Sequence, residues 1–120
     1  MKAGDFLANA AVRAAITREV LAERMRQHRK YGQQQHRDHA TYEAVEFEYP
    51  AKLASIERYI NADPDKKTWQ SILLEQVYGA MAADELPGQR QRLVQAAAVI
   101  LAWIEDIDTR PAPGGSVDGS

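Results

Sequence analysis

From residue 93 to residue 104 the chain reads LVQAAAVILAWI, and Gln95 is the one polar side chain in it. Helical spacing puts Leu93, Ala97, Ile100, Ile104 and Ile107 on one face, with Val99 and Ala102 on the other side near Gln95. A helix that is apolar all round has to be buried all round. A chain of 120 residues has difficulty surrounding such a helix with what remains of it. The simpler solution is an all-α bundle completed by oligomerisation, so a homodimer or homotetramer is expected.

Three further helical stretches precede it. The first is expected over residues 5–30, where Ile16, Val20, Leu21 and Met25 recur at helical spacing and Gly32 ends the pattern. Residues 32–49 read as an ordered loop. Within it Val45, Phe47 and Tyr49 alternate with Glu46 and Glu48 as in a strand, while Tyr42, Val45 and Tyr49 equally fit a helical face. Pro50 suits the first turn of the second helix, whose apolar face would be Leu53, Ile56 and Ile60. ADPDKK is a turn, and Thr68 is a good N-cap for a third helix over residues 69–84. LPG at residues 86–88 breaks that helix, and a last one follows over residues 89–108. The expected organisation is one helical domain over residues 1–110, followed by a disordered tail, 111–120, rich in Pro, Gly and Ser.

Charge and composition narrow the function classes. Hydrophobic residues make up 45% and charged residues 27%, an ordinary soluble balance. A net charge of -2 argues against nucleic acid as the partner, and nothing points to a membrane. The longest unbroken apolar run, residues 96–104, is too short to span a bilayer. Asp5, Asn9 and Arg13 interrupt the N-terminal stretch, which therefore lacks the apolar core of a signal peptide. With no cysteine there is neither a disulfide framework nor a zinc–thiolate site, and a cytoplasmic location is expected.

The polar residues inside the last two helices are the candidates for chemistry. In SILLEQVYGAMAADE, Glu75, Gln76 and Gly79 are three and four residues apart and share one arc of helix surface. Arg92 and Gln95 share a face of the next helix. Two helices joined by a short turn run antiparallel, so the two patches can face each other. Carboxylates at these spacings on facing helices would form an oxygen cage for Mg2+, which would bind phosphate oxygens and activate a water.

The stretch TWQSILLEQVYGAMAADELPGQRQRLVQAAAVILAWIEDIDTR resembles the C-terminal half of MazG-like proteins, in the all-α nucleotide pyrophosphohydrolase superfamily. The upstream LAERMRQHRKYGQQQHRDH resembles the preceding segment in an actinobacterial and phage-type branch. The likeness covers roughly residues 16–110 and is strongest from Trp69 onward. It implies a dimeric or tetrameric helical bundle that uses Mg2+ to cleave nucleoside triphosphates to monophosphate and pyrophosphate. The hallmark of the superfamily is Glu-Glu-x-x-Glu on one helix and Glu-x-x-Asp on the next. Here those positions hold Glu75, Gln76 and Gly79, then Arg92 and Gln95, so one acid of the five remains. Mg2+ requires hard, mostly anionic oxygen ligands, and an arginine at the cage would repel it.

Three readings follow from that substitution pattern. Glu75, Gln76 and Gln95 can be hydrogen-bonded or partly exposed groups with no ligand. Arg92 can supply the charge that a metal supplies elsewhere, giving a pocket that binds a phosphorylated ligand without cutting it. Or catalysis persists through other acids, Glu46, Glu48, Asp84 or Glu85. The function expected is that of a catalytically degenerate MazG-like protein binding a nucleotide or nucleotide-derived ligand. Its alternatives are a Mg2+-dependent nucleoside triphosphate pyrophosphohydrolase, with Glu75 in the catalytic role, and a non-catalytic helical interaction protein.

Glu75, Gln76, Arg92 and Gln95 would line the pocket, with Arg92 pairing with phosphate, or with Glu75 when no ligand is bound. Lys30 and Tyr31 would contribute from outside. They belong to the basic stretch of residues 24–39, where Lys30, Tyr31, Gly32 and Gln34 match a Lys-aromatic-Gly-x-Gln segment of the resembling branch. The same basic residues also suit the end of a helix, where cations oppose the macrodipole. His36 and His39, with Asp38 between, offer a weak transition-metal alternative. Trp69 and Trp103 sit among apolar residues as core or interface groups.

Overall fold

The computed structural model describes residues 3–39 and 45–111. Five helices follow in order: α1 (Ala3–Ala8), α2 (Ala10–Tyr31), α3 (Val45–Asn61), α4 (Trp69–Ala82) and α5 (Leu86–Asp108). There is no strand among the described residues, so the protein is all-α. The chain gathers into two compact units, where one domain is expected. Met1–Lys30 and Leu101–Ser120 form the first, and Tyr31–Ile100 the second. The segment expected to be a disordered tail lies, from residue 112 on, outside the described residues.

In the first unit the expected single helix is two. Asn9 interrupts it, and the Asn9 carbonyl accepts the Arg13 N–H at 2.9 Å, which is how a capping residue opens a helix. Arg13 ties this unit together. Its Nε donates to Glu105 Oε1 at 2.9 Å and its Nη2 donates to the Phe6 carbonyl at 2.7 Å. The guanidinium also lies 3.5 Å over the Phe6 ring. Glu105 is buried, and this ion pair is what makes its burial tolerable. Of the apolar positions expected to face a core on α2, Ile16 is buried while Val20, Leu21 and Met25 are exposed.

The second unit carries the turn signals of the chain as expected, with shifted limits. Gly32 ends α2 with φ +68°, a left-handed conformation that glycine adopts without strain. Of the stretch expected as an ordered loop, residues 32–39 are indeed without helix or strand, whereas residues 45–49 are the start of α3, because Phe47, Pro50 and Ala54 fall on one helical face and the latter two are buried. Pro50 therefore lies inside α3 instead of opening it. It is the sixth residue of the helix, so its missing N–H leaves one intrahelical bond unmade and its ring crowds the preceding turn, a cost the burial of Pro50 offsets. Ile56, expected on the inner face, is exposed, and the buried stripe passes through Ala54. LPG does not separate α4 from α5. It forms the first turn of α5, where a proline needs no N–H partner.

The last helix departs most from expectation. Leu93 and Ile100, on the face expected to be buried, are 54% and 43% exposed. The inward stripe is instead Gln89, Arg92, Ala96 and Val99, again at helical spacing. Ala80 and Ala96 are buried, whereas no large side chain among the described residues is fully buried. The helices are thus seated on small residues, and Leu93, Val94, Ile100 and Ile107 of α5 are left exposed within one chain.

Candidate ligand-binding site

Within the second unit the turn after α3 sets the register of α4. Thr68 caps α4: its hydroxyl accepts the Ser71 N–H at 3.0 Å, and the Ser71 hydroxyl oxygen accepts the Thr68 N–H at 3.0 Å. This is a capping box with serine in the place usually held by Glu or Gln. Ser71 is buried, and its hydroxyl donates to Asn61 Oδ1 at 2.6 Å. The Asn61 amide in turn donates to the Ser71 carbonyl at 3.0 Å and to Glu75 Oε1 at 2.8 Å. The other Glu75 oxygen lies 3.6 Å from Arg58 Nε. These contacts run α3 and α4 antiparallel, and the Asn61 amide anchors the Glu75 carboxylate.

On the facing side, Arg92 of α5 lies over Gly79 of α4. A Cβ on residue 79 would sit 3.0 Å from Arg92 Nε and 3.2 Å from Cδ and Cζ, so the close approach depends on glycine. Arg92 Nη1 donates to Gln76 Oε1 at 3.2 Å. One turn earlier on α5, the Gln89 amide donates to the Ala80 carbonyl at 3.3 Å and contacts His39 Nε2 at 3.2 Å. The His39 ring stands edge-on to Phe47, with centroids 4.9 Å apart.

Arg92 and Gly79 line a cleft of about 370 Å³. Its walls are small, including Ala51, Ala54, Gly79 and Ala82, and its charged lining residues are Arg58 and Arg92. With Glu75 neutralising one of the two, the local charge is positive. Arg92 makes no ion pair among the described residues, and one of its donors is engaged. The side chain of Arg58 is 58% exposed and its one ion pair among the described residues is the long one to Glu75. The two guanidiniums therefore present unspent N–H donors to a cleft with no acid among its described lining residues.

The donor set does not fit Mg2+. Glu75 is held by Asn61 and Arg58, Gln76 accepts from Arg92, and position 79 has no side chain. Among the described residues no three His, Asp or Glu side chains group as a metal ion requires. Chemically, the arrangement suits an anion.

The structure places Gln76 and Gly79 against Arg92, but of the four residues expected to line the pocket Arg92 alone is among the described lining residues, Glu75 and Gln76 lying outside them, and the partners also need one correction. The cation beside Glu75 is Arg58, while Arg92 pairs with Gln76, because Arg58 is carried by the helix that packs directly on α4. Gln95 is exposed and is not among the lining residues, since it falls outside the inward stripe of α5. Tyr31 is 59% exposed, and Lys30, also exposed, belongs to the other unit. His36 bonds Gln34 at 3.1 Å while His39 is engaged with Gln89. The alternative acids Glu48, Asp84 and Glu85 are exposed. Glu46 and Tyr42 lie outside the side chains described.

Arg58, Asn61 and Ser71 were not legible as site residues. Asn61 and Ser71 flank the ADPDKK turn, and a short antiparallel turn implies that residues flanking it meet. That signal was present but points to no chemistry. The displaced ionisable groups belong to the first unit. There the hydrogen bond from Arg26 holds the exposed Glu23 carboxyl below its ordinary range, and Glu23 raises Arg26 in return. Comparison with family models, curated proteins and solved structures finds no match to this chain.

Proposed function

We propose that this protein binds a nucleotide or nucleotide-derived phosphorylated ligand in the cleft bordered by α3, α4 and α5, without Mg2+-dependent hydrolysis. The observation that carries this reading is the position of Arg92, seated over Gly79 and hydrogen-bonded to Gln76 at the edge of a positively charged cleft. Guanidinium is the side-chain group best matched to phosphate oxygens, and by the resemblance to MazG-like proteins Arg92 stands at a position where that superfamily carries a metal-binding acid. The resemblance to MazG-like pyrophosphohydrolases supports a nucleotide as the ligand. The test is incubation of excess protein with Mg2+ and a mixed nucleotide panel, with free and retained material identified by mass spectrometry. Retention of an intact nucleotide, weakened roughly tenfold or more in Arg92→Ala, is the expected result. Conversion of a triphosphate to monophosphate would instead establish an enzyme. An untouched and unbound panel would favour an interaction protein.

A homo-oligomer is the second part of the proposal. The stripe Leu93, Ala97 and Ile100 is exposed on α5, and burying it against a second copy would complete the bundle.

A further inference from the structure

Two guanidiniums line the cleft, and they are held differently. Arg92 rests against Gly79 and Gln76. Arg58 reaches Glu75 across 3.6 Å, beyond hydrogen-bonding distance, and its side chain is more exposed than buried. An exposed ion pair of that length contributes little. Glu75 is anchored independently, through its other oxygen, to Asn61 at 2.8 Å. Arg58 is therefore exchangeable: it can leave Glu75 without unseating that carboxylate. The two cations sit on separate helices, α3 and α5, and line the same cleft. Small walls at Ala51, Ala54 and Ala82 leave room beside them for a group wider than one phosphate.

From this geometry we infer that Arg58 and Arg92 form a two-point clamp for a diphosphate group, with Glu75 holding Arg58 until the anion displaces it. The inference rests on the phosphate-binding reading above and deepens it. One phosphoryl group takes Arg92 and the adjacent one takes Arg58, each through charge-assisted N–H···O bonds. A monophosphate engages Arg92 alone. Glu75 acts as a competing anion, so its charge weakens binding instead of helping it. That sign is opposite to the one a metal ligand would show.

The experiment is calorimetric titration of the full chain with inorganic pyrophosphate and, separately, with inorganic phosphate, at low ionic strength. The unaltered protein should prefer pyrophosphate by roughly tenfold or more, the value of one added charge-assisted contact. Arg58→Gln should abolish that preference while leaving phosphate binding within about twofold. Arg92→Gln should weaken both anions, and Glu75→Gln should tighten pyrophosphate severalfold. Circular dichroism melts of each variant establish that it is folded, and Arg58→Lys serves as a second probe that keeps the charge while losing the fork. An unchanged pyrophosphate preference in both Arg58 variants overturns the clamp while leaving an Arg92 phosphate site standing. Failure of the unaltered protein to bind either anion overturns the clamp and the phosphate-binding reading together.

Discussion

The guanidinium of Arg92 packs tightly against the place a side chain on residue 79 would take: a Cβ there would lie 3.0 Å from Arg92 Nε. The two positions are therefore coupled. Gly79→Ala gains at most about 1 kcal/mol of helix propensity, since residue 79 lies in the last turn of α4, while Arg92 has to shift slightly. We expect a melting temperature equal to or above that of the unaltered protein, together with phosphate affinity lowered severalfold. Calorimetry on the same sample that is melted checks both. Unchanged affinity would show that the seat over Gly79 does not position Arg92 for a ligand.

Asn61 joins α3 to α4 through Ser71 and Glu75. Asn61→Ala leaves the buried Ser71 hydroxyl and the Glu75 carboxylate short of a partner, a cost of about 2–3 kcal/mol. Asn61→Asp is expected to be worse at neutral pH, because two carboxylates then meet, and to recover stability on acidification as one of them takes up a proton. Urea denaturation at two pH values measures both variants. Equal losses at both pH values in Asn61→Asp would mean that this carboxylate contact does not form.

In the first unit Arg13 compensates the buried Glu105. Arg13→Ala should cost about 3 kcal/mol, since it strands a buried charge. Glu105→Gln should cost less, because the amide oxygen still accepts from Arg13. The order of the two denaturation midpoints decides the matter, and the reverse order would deny Arg13 this role.

Light scattering on the eluted protein tests the α5 stripe. The unaltered chain should elute as a dimer or tetramer, and Leu93→Lys combined with Ile100→Lys should yield monomer. Both side chains are exposed within one chain, so secondary structure by circular dichroism should be retained. A monomer before substitution would remove the stripe from any self-association.

Glu23 provides a pH test on α2. Its carboxyl is depressed by the hydrogen bond from Arg26. A depressed folded-state value means that the contact stabilises α2 above the ordinary carboxylate range and is lost as pH falls through the folded value. Titration followed by carboxyl resonances should give a midpoint below that of a free glutamate. Arg26→Gln should return it to the ordinary range.

Helical content, the cap at Thr68, the stop at Gly32 and the grouping of Glu75, Gln76 and Gly79 were determined by local sequence alone. Each depends on propensity, capping chemistry or the 3.6-residue repeat, which act within a few residues. The face that α5 turns inward was decided by tertiary structure. When apolar residues surround a helix, periodicity has no preferred direction, and close packing on small side chains selected Ala96 over Leu93. Proline 50 likewise reads as a helix opener until the burial of Pro50 and Ala54 on one face extends α3 back to Val45. The pairing of Glu75 with Arg58 and of Arg92 with Gln76 was also decided there. Charge identifies which side chains can pair, but only the antiparallel register of α3 and α4 and the approach of α5 at Gly79 set which of them meet.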